Sequence, residues 1–198
     1  MIYWIAYFFL KALGVLFFPL IVHGKENLPL KGSFFLASNH ISYLDPIVIG
    51  LALERKINYV AKEELFKSRL LGFLLYKVGA FPIKRNASDV GAIREILKRV
   101  KRYPIVIFPE GTRAKVEGKK NIFGGVGFVA VKSGVSVIPV FVQGTERVLS
   151  SKARFIQRGR VAVSFGKPLR FFTTTSYDDI ARQIMTSIER LKSPPIGN

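Results

Sequence analysis

The sequence predicts an α/β fold: a single domain with a central mixed β-sheet flanked by helices, preceded by an N-terminal apolar helical membrane segment. Three observations lead to this prediction. Short apolar runs that stop at turns are typical of buried strands. Amphipathic segments with helical spacing lie between those runs. The first 22 residues are almost entirely apolar. A length of 198 residues suits one such core and is short for two.

The N-terminal segment, residues 1–22, carries a single charge, Lys11. As one helix it would be about 33 Å long, enough to cross a hydrocarbon core. Lys11 would then lie near the membrane centre, at a cost of about 2.5 to 3.5 kcal/mol. The alternative is a helical pair that dips into one leaflet, bent near Gly14 and Pro19, with Lys11 reaching the headgroups. We expect a membrane-embedded segment over residues 1–22.

The first strand of the domain is predicted over residues 33–38, and a polar loop follows it. Residues 39–45 read N-H-I-S-Y-L-D, and Asp45 followed by proline is typical of a helix start, with Asp as N-cap. The chain has two histidines and no cysteine, so imidazole chemistry falls to His23 or His40. His23 directly follows an apolar run, which favours His40.

The spacing of His40 and Asp45 requires a turn. On a straight helix, five residues would rotate Asp45 about 140° away from His40. A strand-to-helix loop can fold the carboxylate back onto one imidazole nitrogen, which fixes the tautomer and raises basicity, while the other nitrogen faces a substrate hydroxyl. That arrangement is a general-base dyad. The alternative is that Asp45 only caps its helix and His40 is an ordinary loop residue.

A basic amphipathic helix is predicted over residues 63–78. Its apolar residues recur at helical spacing, and Lys62, Lys67, Arg69 and Lys77 flank them. The helix either docks against an anionic membrane surface or packs its apolar face on the sheet. A second amphipathic helix, from Ser88 through Tyr103, has a basic face that we expect in solvent.

A second polar stretch follows the apolar run Ile105–Phe108. Ligand sites in open α/β sheets gather at the carboxyl ends of strands. Gly111 permits close backbone approach, and Arg113 presents a planar fork suited to phosphate. Thr112 offers a hydroxyl, and Glu110 can orient the arginine or bind a ligand hydroxyl. The alternative is a turn with a surface Glu-Arg pair.

The remaining elements are predicted to be scaffold. Residues 135–142 and 161–165 are strand candidates, and a helix runs from Ser176 to about Lys192. Residues 125–130 match the pattern G-x-G-x-x-A, but a polar loop precedes them instead of the strand that a dinucleotide site requires.

These motifs together resemble the glycerolipid acyltransferases, specifically the 1-acylglycerol-3-phosphate (lysophosphatidate) acyltransferase family. The family motifs N-H-x-x-x-x-D and F-P-E-G-T-R correspond to residues 39–45 and 108–113. Two further blocks are similar, G-A-F-P-I-K-R at 79–85 and V-I-P-V at 137–140. The four blocks follow the family order.

The resemblance implies transfer of a fatty acyl group from a thioester to the free hydroxyl of lysophosphatidate, giving phosphatidate in phospholipid biosynthesis. His40 would be the catalytic base and Asp45 its orienting partner. No metal or bound cofactor is implied. The acceptor site would be formed by Arg85, Glu110, Gly111, Thr112 and Arg113. Residues 23–192 would form the acyltransferase domain, with 193–198 as a C-terminal tail.

Composition agrees with a lipid enzyme. The net charge is +18, which indicates an anionic partner, and the 49% hydrophobic content argues against a nucleic-acid-binding protein. We expect a lysophospholipid acceptor, an acyl-ACP or acyl-CoA donor and an anionic phospholipid membrane as partners, and no nucleic acid. The expected location is the cytoplasmic face of the cell membrane.

Two other functions stay open. An acyltransferase of the same superfamily can act on another acceptor, such as a lyso-ornithine lipid, glycerol 3-phosphate or another lysolipid. A non-enzymatic basic membrane-binding protein would also explain the charge, but it has no need of a dyad.

Overall fold

The computed structural model describes residues 2–83, 90–110, 125–149, 156–172 and 176–192. Four of the residues predicted to bind substrate lie outside these ranges: Arg85, Gly111, Thr112 and Arg113.

Within the described residues, seven strands form one sheet and seven α-helices surround it. The strands are β1 (Leu20–His23), β2 (Phe35–Ser38), β3 (Asn58–Lys62), β4 (Ala80–Ile83), β5 (Ile105–Ile107), β6 (Val137–Gln143) and β7 (Val161–Phe165). The helices are α1 (Ile2–Phe17), α2 (Asp45–Leu53), α3 (Arg69–Lys77), α4 (Val90–Arg99), α5 (Gly125–Ser133), α6 (Thr145–Val148) and α7 (Tyr177–Glu189). The predicted mixed α/β sheet is confirmed.

The sheet order is β1-β7-β6-β2-β5-β3-β4. All neighbouring strands are parallel except the antiparallel pair β6 and β7. Strands β2 to β6 therefore end at the same edge, which we call the carboxyl edge, while β1 and β7 run the opposite way. Because β2 lies between β5 and β6, the loops after these three strands meet at the middle of that edge.

Strand β2 is the centre of the core because both of its faces are buried. Phe34 and Leu36 belong to the apolar cluster that contains α1 and α2. Phe35 and Ala37 belong to the cluster that contains α4, α5 and α7. Successive strand residues point to opposite faces, so the sheet is sandwiched between two helical layers. A strand buried on both faces is continuously apolar, which is why residues 34–37 could be recognised from the sequence.

The N-terminal segment differs from the prediction of one helix or a helical pair over residues 1–22. Helix α1 ends at Phe17, and Leu20–His23 is strand β1, paired with β7. Pro19 explains the break, because proline has no N–H for the helix and disfavours helical geometry in the residue before it. Strand β1 belongs to the sheet of the domain through its parallel pairing with β7.

Helix α1 has 16 residues, about 24 Å at 1.5 Å per residue. Among the described residues, none of the helices combines the length and apolar character needed to cross a membrane. The predicted N-terminal helix is therefore present but is not a membrane span.

One side of α1 is fastened to the domain. The hydroxyls of Tyr3 and Tyr7 donate to the carbonyls of Arg55 (3.1 Å) and Leu51 (3.3 Å), at the end of α2. Lys11 lies 3.7 Å from Glu54, which also binds Lys25. The hydrogen bond from Lys25 holds the pKa of the Glu54 carboxyl below its usual value. Lys11 thus lies on the side of α1 that contacts the domain.

The helix predicted over residues 63–78 is two elements, a 3₁₀ helix (Glu63–Phe66) and α3. Ser68 separates them: it is extended, and its hydroxyl accepts a hydrogen bond from the amide of Leu71, which starts a new helix. Only Gly72 of α3 is buried. The apolar residues of α3 are largely exposed: Leu70, Leu71, Phe73, Leu74 and Tyr76.

Candidate active site

The loops at the carboxyl edge bring together residues that are far apart in the sequence. His40 follows β2, Phe108 and Glu110 follow β5, and Thr145 follows β6. His40 and Glu110 lie three residues beyond Ala37 and Ile107, which are partners in the β2–β5 ladder. His23 ends β1, which runs the opposite way, and is therefore at the other edge of the sheet.

The carboxylate of Asp45 is the most enclosed group of the site. It has no solvent exposure and accepts four hydrogen bonds. Oδ2 contacts Nδ1 of His40 at 2.9 Å and the amides of Ile41 and Ser42 at 2.7 Å. Oδ1 accepts from the hydroxyl of Thr145 at 2.6 Å. All of its donors therefore come from the protein, as a buried charged group requires.

Asp45 is not the N-cap that the sequence predicted. It is the first residue of α2, and the N-cap is Leu44, whose side chain makes no capping hydrogen bond. The carboxylate instead points back toward the preceding loop. There it is hydrogen-bonded to the amides of Ile41 and Ser42 and to the ring of His40. This is the turn that the five-residue spacing requires.

The imidazole of His40 is oriented on two sides. Nδ1 is hydrogen-bonded to Asp45, and the ring stacks on Phe108 with centroids 4.1 Å apart and planes 22° apart. The side chain of His40 is 15% exposed. No described residue forms a hydrogen bond with Nε2. A neutral imidazole that donates from Nδ1 has its acceptor at Nε2. The contact with Asp45 therefore leaves Nε2 as the nitrogen that can accept a proton from a substrate.

Asn39 attaches the histidine loop to β6. The paired part of β2 and β6 ends at Ser38 and Val140. The Asn39 side chain then accepts from the amide of Val142 at 2.7 Å and donates to its carbonyl at 2.8 Å. The amide side chain thus adds one rung to the ladder, which fixes the chain directly before His40.

Ser42 anchors the other side of the same loop. Its buried hydroxyl donates to the carbonyl of Leu149 at 2.7 Å and accepts from the amide of Leu44 at 3.2 Å. The loop is therefore held at both ends by contacts to β6 and to the segment after it.

Of the predicted substrate-binding residues, the described part of the chain contains Glu110. It is 8% exposed and lies at the carboxyl edge. Sequence reasoning missed Thr145, although its hydroxyl contacts the predicted dyad directly. One signal was available: Gly144 and Thr145 directly follow an apolar strand, the same pattern that identified His40 and Glu110.

Comparison with known proteins identifies the family. The family model described as Acyltransferase matches residues 19–143, which include the dyad and Glu110. The chain belongs to the acyltransferase family. The glycerolipid acyltransferase resemblance of the sequence motifs is thereby confirmed.

Named relatives of this acyltransferase are 1-acyl-sn-glycerol-3-phosphate acyltransferases. The Bacillus subtilis (strain 168) enzyme is 33% identical over 150 residues, which cover 75% of this chain and 72% of that protein. The chloroplastic LPAT1 of Arabidopsis thaliana is 31% identical over 159 residues, 77% of this chain but only 44% of that protein. The aligned region thus covers most of this chain, but in the plant relative it covers less than half of the protein's length.

A solved structure has the same fold. The crystal structure of the 1-acyl-sn-glycerophosphate (LPA) acyltransferase PlsC from Thermotoga maritima matches with a TM-score of 0.68 and 25% identity. The match covers 91% of this acyltransferase and 75% of that chain.

We predict that Asn39→Ala destabilises the protein by about 2 to 4 kcal/mol, since two buried groups of Val142 lose their partner and each costs about 1 to 3 kcal/mol. Denaturant unfolding at neutral pH measures the change. Asn27→Ala is the control, because Asn27 makes a single half-buried hydrogen bond, to the carbonyl of Phe165. Equal stability of the two variants would contradict the ladder role of Asn39.

Proposed function

We propose that this acyltransferase acylates the free hydroxyl of lysophosphatidate (1-acylglycerol 3-phosphate) from an acyl thioester and so forms phosphatidate. One observation carries the proposal. A buried carboxylate binds Nδ1 of His40 and leaves Nε2, within the described residues, without a hydrogen-bond partner. The similarity to 1-acyl-sn-glycerol-3-phosphate acyltransferases supports this choice of acceptor.

In the proposed reaction Nε2 of His40 takes the proton of the acceptor hydroxyl as the oxygen attacks the thioester carbonyl. Asp45 stabilises the resulting imidazolium through Nδ1. The tetrahedral intermediate collapses, the carbon–sulfur bond breaks, and the proton on Nε2 passes to the thiolate. Transfer is direct, so no acyl-enzyme forms.

The acceptor site is proposed from the sequence motifs. Arg85 and Arg113 hold the phosphate, because guanidinium groups can bind phosphate through paired hydrogen bonds. Glu110, Gly111 and Thr112 shape the glycerol pocket. Glu110 supports this assignment, since it is at the same edge as the dyad. The donor is acyl-ACP or acyl-CoA, and the net charge of +18 suits either anionic carrier.

A second candidate within the same superfamily differs only in its acceptor, which would be a lyso-ornithine lipid, glycerol 3-phosphate or another lysolipid. The dyad serves any of these hydroxyls. Assay of the purified protein in detergent with each acceptor and both donors separates the candidates, and a preference for an acceptor without phosphate would overturn the lysophosphatidate proposal.

We further propose that the enzyme meets an anionic phospholipid membrane at the cytoplasmic face, with α1 lying in one leaflet. Tyr3 and Tyr7 hold one side of α1 on the domain, while Phe8 and Phe9 on the other side are 63% and 64% exposed. The apolar residues of α3, flanked by basic residues, offer a second contact. This arrangement lets a lysolipid keep its tail in the leaflet while its headgroup reaches the site.

We predict that His40→Ala lowers turnover to below a few per cent, because general-base help is worth roughly a hundred- to ten-thousandfold. Asp45→Asn should also lower turnover severely, since the ring loses its anionic partner. Steady-state kinetics with lysophosphatidate measure both effects, and thermal unfolding checks the fold. The control is His23→Ala, which removes the other imidazole at the opposite edge and should keep activity. An active His40→Ala variant would exclude the dyad.

We predict that Arg113→Lys raises the KM for lysophosphatidate roughly tenfold with a smaller change in kcat, because lysine lacks the fork that binds phosphate twice. Kinetics at varied acceptor concentration separate the two constants. Arg94→Lys, an exposed position on α4, is the control. An unchanged acceptor KM would remove Arg113 from the phosphate site.

We predict that the double variant Phe8→Ser, Phe9→Ser reduces flotation with anionic vesicles and slows acylation of long-chain acceptors far more than of short-chain, water-soluble ones. Only the former need delivery from a membrane. Leu30→Ser is the control, because Leu30 is 95% exposed but lies in the loop before β2. Unchanged flotation and equal turnover of both acceptor types would refute membrane delivery through α1, without bearing on the chemistry at His40.

A further inference from the structure

Thr145 contacts Asp45 from outside the histidine loop. Its side chain is fully buried, and its hydroxyl donates to Oδ1 of Asp45 at 2.6 Å, across a separation of 100 residues. The three donors to Oδ2 all come from residues 40–42, within the histidine loop. Thr145 is therefore the donor that ties the carboxylate to another element of the fold.

The backbone before Thr145 is shaped to bring it there. Strand β6 ends at Gln143, and Gly144 adopts φ +87°, a conformation that side-chain-bearing residues rarely adopt. A Cβ at Gly144 would lie 2.2 Å from the carbonyl oxygen of Arg160, so a larger residue does not fit. The turn is thus fixed by its conformation and by its packing against the segment before β7.

A donor on Oδ1 controls how the carboxylate is rotated. The terminal torsion of aspartate is broad, so rotamer preference alone does not set the plane of the two oxygens. With partners on both oxygens the plane is defined, and Oδ2 is held toward Nδ1 of His40. Without Thr145 a buried oxygen would lack a partner, and the carboxylate would gain by turning away from its present plane.

We propose that Thr145 is a positioning residue for the base: through Asp45, its hydroxyl holds the imidazole of His40 in the orientation that proton transfer requires. The inference rests on the proposed function, because it assigns Thr145 to that reaction. The proposed role requires the hydroxyl of Thr145 and not its methyl group. Thr145→Val keeps the shape and removes the donor, whereas Thr145→Ser keeps the donor and removes the methyl group.

Kinetics of the full chain in detergent give the first readout. Thr145→Val should lower kcat roughly ten- to a hundredfold, a part of what general-base help is worth, with the acceptor KM within about threefold. Thr145→Ser should restore most of kcat even where it is less stable. Ser133→Ala is the control: it removes a half-buried hydroxyl bonded to the Ala130 carbonyl, before β6 begins, and should leave kcat unchanged.

Imidazole NMR of the substrate-free protein gives a readout that a purely structural role would not move. The chain has two histidines, so His40→Ala assigns both sets of signals. Thr145→Val should shift or broaden the Nδ1 proton signal of His40 and leave the His23 signals in place, and Thr145→Ser should preserve both.

The proposal requires both effects of Thr145→Val together, with rescue by serine. A loss of kcat with an unmoved His40 signal would mean that Thr145 only stabilises the fold, and a moved signal with wild-type kcat would mean that this contact does not matter for transfer. Either result overturns the proposal. Failure of the lysophosphatidate proposal is distinguishable, because the wild-type protein would then not acylate that acceptor while the NMR comparison still reads the ring orientation. In that case kcat would be measured with the acceptor from the panel that the wild-type protein does acylate.

Discussion

A carboxylate that is fully removed from water must receive hydrogen bonds from the protein, and Asp45 imposes this requirement on the fold. Taking such an ion out of water costs several kcal/mol, which partners of good geometry offset. Four donors surround Asp45, two from the backbone of its own loop, one from His40 and one from Thr145. One side chain thus fixes the relative positions of the loop after β2, the start of α2 and the residues that follow β6.

The sheet order explains how these donors arrive. Between Asp45 and Thr145 the chain forms β3, β4 and β5 on one side of β2 and then returns to place β6 on the other. Parallel pairing of β2 with both neighbours puts three loops at one edge. The Asn39 side chain extends the β2–β6 ladder beyond its last paired residues, so the histidine loop and Thr145 are positioned by the same pair of strands.

Local patterns predicted a large part of this fold. Strand β7 has its predicted bounds, and β2, β5 and β6 were identified because buried parallel strands are continuous apolar runs. The contact between His40 and Asp45 followed from their spacing once a turn was assumed, and it is present. Their catalytic roles, and those of Arg85, Glu110, Gly111, Thr112 and Arg113, stay proposals.

What the sequence did not reveal depends on distant contacts. Residues 20–23 form a strand because β7, about 140 residues later, offers a partner. The contact of Thr145 with Asp45 spans 100 residues and has no local signature beyond its place after a strand. Likewise α1 is apolar apart from Lys11, so its pattern does not distinguish a membrane span from a helix that places one side on α2 and exposes the other. The hydroxyls of Tyr3 and Tyr7 hold one side of α1 on the end of α2, and the sequence pattern does not predict these two contacts.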